Sequence, residues 1–158
     1  MKTAYRGAAL MALHCLLVLT VAGKYAWDRG RLPRAWANAT PVDPSLPIRG
    51  RYVTMQLHVE SADAASDYAT VRLAAENGRL VAHSVSSGGL AVWRRRPDLW
   101  ILSDPVAFFI PEHAADPSRL SPGEELWVEV SVPPKGPPRP LRLAIKKDGV
   151  LKPLELAP

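Results

Sequence analysis

The sequence predicts a mainly β protein, with an N-terminal transmembrane helix followed by a small antiparallel β-barrel or sandwich. Residues 7–23 form an uncharged apolar run near the N-terminus. Residues 51–60 alternate polar and apolar side chains, which is the period of a half-buried strand. All sixteen prolines and eight of the ten glycines lie in the rest of the chain and divide it into short apolar runs. A helical period is not sustained there, apart from a single turn allowed near residues 113–120.

The N-terminal run is predicted to be a signal-anchor helix. Charged residues flank it and aromatic residues suit the two membrane interfaces: Lys2, Arg6 and Lys24, and Tyr5, Tyr25 and Trp27. With these flanks, residues 5–27 are long enough to cross a bilayer. The alternative is a cleaved secretory signal, because Thr20-Val21-Ala22 is an acceptable small-x-small cleavage site. Both readings place the remainder of the chain on the extracytoplasmic side.

The expected organisation has three parts. Residues 1–30 are the membrane anchor with its flanks, residues 31–50 a membrane-proximal strand and a proline-rich strap, and residues 51–158 an extracytoplasmic all-β domain. Within the last part, residues 68–75 and 79–86 flank Asn77-Gly78, a signal for a β-hairpin. Further short strands are expected at residues 90–93, 99–102, 107–110, 125–132, 141–146 and 150–156, for a total of about seven to nine.

The charge distribution argues against nucleic-acid binding. The formal net charge is +5, and the whole excess lies in residues 1–50. Residues 51–158 hold 13 basic and 13 acidic side chains, whereas a nucleic-acid-binding domain normally carries its own basic stripe. The single cysteine, Cys15, excludes an internal disulfide, and the four histidines lack metal-ligand spacing. We therefore expect neither nucleic acid, metal nor cofactor.

Several motifs resemble the GDYXXLXY family of bacterial membrane-anchored proteins. They are Pro41-Val42-Asp43-Pro44, Arg49-Gly50-Arg51-Tyr52-Val53, Phe109-Ile110-Pro111-Glu112 and the hairpin signal Lys147-Asp148-Gly149. The naming motif departs from the family at three positions, which hold Arg51, Met55 and Leu57. The resemblance implies a membrane-tethered domain of undefined biochemistry that works with a polytopic membrane protein. It implies no reaction.

The strap before residue 51 is predicted to be structural. Prolines fix φ and restrict the preceding residue, so Pro41, Pro44 and Pro47 would turn the chain stiffly into the next strand. Asp43 is expected to be buried or to accept hydrogen bonds from nearby backbone amides. Gly50 supplies a conformation that other residues avoid.

A partner-binding surface is predicted on the strap and on the exposed face of the strand that follows it. Arg49, Arg51 and Tyr52 are the side chains there that can hydrogen-bond and stack on a partner. The function predicted from the sequence is a non-enzymatic accessory domain that binds another membrane or envelope protein.

Two catalytic interpretations compete with this one. His58 and Glu60 share a strand face, which suits a general-base pair or half of a metal site, although a solvent-facing polar face is the preferred interpretation. The alternative function is a membrane-anchored serine-lysine peptidase with Ser45 as the nucleophile and Lys146 or Lys147 as the base. Against it, Ser45 lies too close to Gly50 for that pattern, and Arg51 stands where such enzymes have an aspartate.

Overall fold

The computed structural model describes residues 2–42, 52–61, 66–111, 114 and 116–155. The chain divides into two compact units, Met1–Leu32 and Pro33–Pro158. The first is the helix α1 (Lys2–Arg31). The described part of the second contains ten strands: β1 (Arg34–Val42), β2 (Tyr52–Ser61), β3 (Tyr68–Glu76), β4 (Arg79–Ser84), β5 (Leu90–Arg96), β6 (Leu99–Leu102), β7 (Val106–Phe109), β8 (Glu124–Ser131), β9 (Arg139–Lys147) and β10 (Val150–Pro153).

Helix α1 is long and apolar enough to span a membrane. The span Tyr5–Asp28 covers 24 residues with a mean hydropathy of 1.7, and none of it is buried against protein. Its polar side chains bond within the helix: the imidazole of His14 bonds to the carbonyl of Leu10 at 2.9 Å, and Thr20 Oγ1 donates to the carbonyl of Leu16 at 2.7 Å. Such internal bonds lower the cost of placing these groups in lipid.

The second unit is a closed six-stranded β-barrel with additional strands. Around the barrel the strands follow the order β1, β4, β3, β5, β6 and β2, and β2 then pairs with β1. All of these neighbours are antiparallel except β1 and β4, which pair in parallel at Trp36 and Arg79. Strands β8, β9 and β10 extend the sheet from β1, and β7 extends it from β2. The predicted mainly β fold is thus confirmed, with the barrel as the form it takes.

The hairpin between β3 and β4 helps to close the barrel. Asn77 and Gly78 have φ angles of 49° and 76°, the left-handed pair that a tight two-residue hairpin turn requires. The Gly78 carbonyl then accepts the backbone N–H of Trp36 at 2.8 Å. This bond joins β1 to the turn, and the next residue, Arg79, then pairs with Trp36 of β1.

The barrel core is built from alternating side chains. The predicted alternation in β2 is confirmed, because Val53, Met55, Leu57 and Val59 are buried while their neighbours on the opposite face are only partly covered. In β1 the inward positions are small alanines, Ala35, Ala37 and Ala39. Large side chains from other strands fill the remaining volume, namely Leu80, Leu102, Leu126 and Leu143.

Two expectations are refined by the structure. The membrane-proximal strand expected within residues 31–50 is β1, a barrel strand that belongs to the same compact unit as the rest of the β structure. The helical turn allowed near residues 113–120 is not formed in the described residues there. Instead the Asp116 carboxylate accepts hydrogen bonds from the Ser118 backbone N–H and hydroxyl, at 3.0 and 2.7 Å, and caps a short turn.

Candidate functional site

A cleft opens on the outer face of the barrel where β1 separates from β2. Strand β1 pairs with β2 only through Ala39–Val42, and at Trp36 it pairs with Arg79 of β4 instead; its other edge pairs with β8 through residues 34–39. The cleft has a volume of about 280 Å³. We call it the outer cleft; its lining side chains include Trp36, Asn38, His58, Glu60, Arg79, Asp98, Leu99, Glu125, Trp127 and Lys146.

The strand period explains why these side chains meet. On β1 the residues that alternate with the buried alanines are Trp36, Asn38 and Thr40, so they point away from the core. Asn38 lies opposite Trp127 of β8, and Glu125 lies opposite Lys146 of β9. Three neighbouring strands therefore bring their outward side chains into one row.

Glu125 is held at the cleft by two neutral donors. Its Oε2 atom accepts a hydrogen bond from Asn38 Nδ2 at 3.2 Å and another from the indole N–H of Trp127 at 2.9 Å. Neutral donors orient a carboxylate without cancelling its charge.

The indole of Trp127 is itself covered by cations. The Lys146 ammonium lies 4.7 Å from the ring centroid and the Arg79 guanidinium 5.5 Å from it. Both distances fall within the range of cation–π attraction. Trp127 is 8% exposed, so this ring serves mainly to build the wall of the cleft.

His58 is half-buried and bonded to β1. Its Nε2 atom lies 2.8 Å from the hydroxyl oxygen of Thr40. Burial lowers the pKa of His58, the positive charges of Arg95 and Arg96 lower it further, and the carboxylate of Glu125 opposes them. The imidazole is therefore neutral at neutral pH.

The His58 and Glu60 pair expected as a catalytic alternative is not assembled as a unit. Both side chains line the outer cleft, but His58 bonds to Thr40, while Glu60 accepts from Arg79 at 2.9 Å. Among the described residues, no group of three or more His, Cys, Asp and Glu side chains is placed to hold a metal ion.

An ion pair with a buried carboxylate lies next to Trp36 of the cleft. The Glu129 side chain is only 8% exposed, and its Oε2 accepts from Arg142 Nε at 2.7 Å. This hydrogen bond raises the pKa of Arg142. The guanidinium also lies 6.0 Å from the ring centroid of Trp36. Trp36 of β1 lies opposite Glu129 of β8, so Arg142 lies near both residues of this cross-strand pair.

A second depression lies between β1, β2 and the turn at residues 116–118. This groove, which we call the Tyr52 groove, has a volume of about 440 Å³ and is lined by Pro41, Val42, Tyr52, Val53, Thr54, Asp116 and Ser118. Beside it, the rings of Tyr52 and Phe109 pack at 6.1 Å with a tilt of 54°. Phe109 is 72% exposed. Two of the residues predicted from the sequence, Pro41 and Tyr52, thus line one groove.

The other predicted residues of the strap lie outside the described part of the chain. These are Asp43, Pro44, Ser45, Pro47, Arg49, Gly50 and Arg51. The expected role of Asp43 and the partner-binding role of Arg49 and Arg51 stay predictions.

Both lysines of the peptidase alternative have structural contacts. Lys147 Nζ lies 3.3 Å from Glu124 Oε1 in an ion pair, and Lys146 lies over Trp127. A hydrogen bond from the Ser121 backbone, together with the bond from Lys147, lowers the pKa of Glu124. Neither lysine occupies an apolar pocket of the kind that makes a general base.

Among the outer-cleft residues that were not recognised from the sequence are Trp36 and Asn38 of β1 and Glu125 and Trp127 of β8. A partial signal is present, because both pairs follow the alternation of their strands. The pairing of β1 with β8, about 90 residues later in the chain, has no local signature.

Comparison of the chain with protein-family models, with curated proteins and with solved structures found no match. The resemblance to the GDYXXLXY family therefore stays a prediction.

Proposed function

We propose that this chain is a membrane-tethered, non-enzymatic accessory domain that binds another membrane or envelope protein. The observation that carries the proposal is the exposure of α1. None of the span Tyr5–Asp28 is buried, and the second unit closes a barrel of its own. Transfer of a helix of this kind from water into lipid lowers its free energy.

The β-domain is placed on the extracytoplasmic side in this proposal. The support is the position of this apolar helix near the N-terminus, as in a signal-anchor. The flanking charges do not support this orientation, because Lys24, Arg29, Arg31 and Arg34 after the span outnumber Lys2 and Arg6 before it. The tether confines the domain to the membrane surface and raises its effective concentration toward a partner in the same membrane. A weak interface is then sufficient.

The proposed contact surface is the exposed side of the Tyr52 groove. Phe109 is 72% exposed and Val42 is 37% exposed beside the Tyr52 ring. Grouped apolar side chains at the surface of a soluble domain favour an interface, and aromatic residues are frequent among its strongest contacts. Arg49 and Arg51 flank this surface in sequence. The resemblance to the GDYXXLXY family points to a polytopic membrane protein as the partner.

The non-enzymatic assignment rests on how the candidate catalytic groups are used. His58 bonds to Thr40, Glu60 to Arg79, and Lys147 to Glu124. Each of these pairs joins two strands, and this structural role explains the residues without a catalytic one.

Pull-downs from detergent-solubilised membranes test the partner. The full chain should retain a membrane protein, and the double variant Arg49→Ala, Tyr52→Ala should lose it. A matched control is Arg72→Ala, Tyr68→Ala, which removes the same two residue types from the exposed side of β3. If the wild type retains no membrane protein, or if Ser45→Ala abolishes a measurable peptidase activity, the proposal fails.

Protease treatment of intact spheroplasts tests the side of the membrane. The β-domain should be digested while cytoplasmic markers survive. A protected domain, or a mature protein that begins at Gly23, would contradict the anchored topology.

A further inference from the structure

The outer cleft contains a carboxylate, that of Glu125, with one oxygen available to accept further hydrogen bonds. Glu125 Oε2 is fixed by Asn38 and Trp127, and within the described residues no hydrogen bond or ion pair is formed by the other oxygen, Oε1. Lys146 is its direct neighbour across the strands but lies over the Trp127 ring instead. An oriented acceptor therefore remains open at the cleft.

The same cleft offers an aromatic wall. Trp36 is half-buried and lines the cavity. The Arg142 guanidinium lies 6.0 Å from its ring centroid, at the outer limit of a cation–π contact, whereas Trp127 is covered closely by Lys146. Of the two rings, Trp36 is therefore the one whose face is more available to a ligand.

The charges around the cleft do not favour one sign. Its lining includes Arg79 and Lys146 against Glu60, Asp98 and Glu125, and Arg95 and Arg96 lie near enough to influence His58. Such a mixed field gives no strong attraction to a polyanion or to a metal cation. It does place hydrogen-bond donors and acceptors side by side.

A sugar ring matches this combination. Its hydroxyls both donate and accept hydrogen bonds, and its C–H face packs against the negative face of an aromatic ring. A volume of about 280 Å³ lies at the small end of ligand cavities. We propose that the outer cleft binds one pyranose unit of a saccharide, with Trp36 as the stacking surface and Glu125 and Asn38 as the hydroxyl-binding groups. This goes beyond the proposed partner binding and uses a different surface.

Saturation-transfer NMR on the full chain in detergent tests the proposal. The probes are glucose, galactose, mannose, N-acetylglucosamine and their β-linked disaccharides, with triglycine as the reference ligand. We expect saturable binding of at least one sugar, with a dissociation constant on the order of 1 mM. Absence of binding by every sugar, or equal binding of triglycine, would overturn the proposal.

Matched variants locate the binding. Trp36→Ala and Glu125→Gln should each weaken the sugar affinity at least about tenfold. Glu125→Gln keeps a side-chain oxygen for Asn38 and Trp127, so it remains informative if Trp36→Ala does not fold. Tyr68→Ala, which removes a 76% exposed aromatic from β3, should bind as the wild type does. Unchanged affinity in Glu125→Gln would remove the outer cleft as the site.

Discussion

Arg142 donates a hydrogen bond to the buried carboxylate of Glu129 across the β8 and β9 pair, at 2.7 Å. The two side chains differ in exposure, at 56% for Arg142 and 8% for Glu129. A carboxylate so deeply covered is tolerated only when a partner offsets its lost hydration.

Arg142→Ala is therefore expected to lower the thermal midpoint of the β-domain clearly, because it leaves Glu129 buried without its cation. The matched control is Arg119→Ala, whose partner Asp116 is 37% exposed at 3.9 Å, and an exposed pair of this kind contributes little. Thermal unfolding followed by circular dichroism measures both variants. Equal thermal midpoints for the two variants would show that the Glu129–Arg142 pair stabilises the domain no more than the exposed Asp116–Arg119 pair does.

Gly89 marks the closest backbone approach among the described glycines. A Cβ atom there would lie 2.4 Å from the Val71 carbonyl oxygen and 2.7 Å from Val85 Cγ2. Since the first of these is backbone, β3 and the loop before β5 would have to separate. Gly89→Ala should lower the free energy of unfolding by roughly 1–3 kcal/mol, as overpacking does.

Chemical denaturation measures this loss, with Ser87→Ala in the same loop as the control. Ser87 is exposed, so its truncation should change the free energy of unfolding by less than about 0.5 kcal/mol. A Gly89→Ala protein as stable as the control would mean that the loop moves away at no cost.

The neutral state of His58 predicts a pH dependence. Burial and the neighbouring Arg95 lower its pKa in the folded chain below the ordinary value of 6.5. The unfolded chain then binds the proton first, so stability is complete above about pH 6.5 and falls as the pH drops below it. Replacement by glutamine removes this contribution.

Denaturant midpoints of wild type and His58→Gln, measured between about pH 7.5 and 5, test the sign. The wild type should lose more stability on acidification than the variant does. Thr40, Glu125, Arg95 and Arg96 are the groups that act on the imidazole and are unchanged in both proteins. A steeper acid loss in the variant would reverse the assigned direction.

The fold could largely be predicted because its signals are local. The alternation in residues 51–60 and the Asn77-Gly78 turn each depend on a few neighbouring residues, and β2 and the β3–β4 hairpin lie where those signals placed them. The apolar run of residues 7–23 likewise lies within α1. Barrel closure could not be predicted from such local signals, because it depends on parallel pairing of β4 with both β1 and β2.

The outer cleft was less accessible from the sequence. His58 and Glu60 were recognised as residues of one strand face, but their bonds to Thr40 and Arg79 depend on strands brought together by the topology. The oriented carboxylate of Glu125 needs Asn38 from a strand about 90 residues earlier. The alternation of each strand marks its outward residues, but it does not indicate which distant strand lies beside it.

We propose that the tethered domain contacts another protein in its own membrane through the surface around Tyr52. Photo-cross-linking in intact membranes tests it directly, with p-benzoylphenylalanine in place of Phe109. Tyr68 provides the matched control position, since it is an aromatic of similar exposure, 76% against 72%, on another strand. The account predicts a covalent adduct with a membrane protein from position 109 and none from position 68. Adducts formed equally from both positions, or only with copies of this chain, would contradict it.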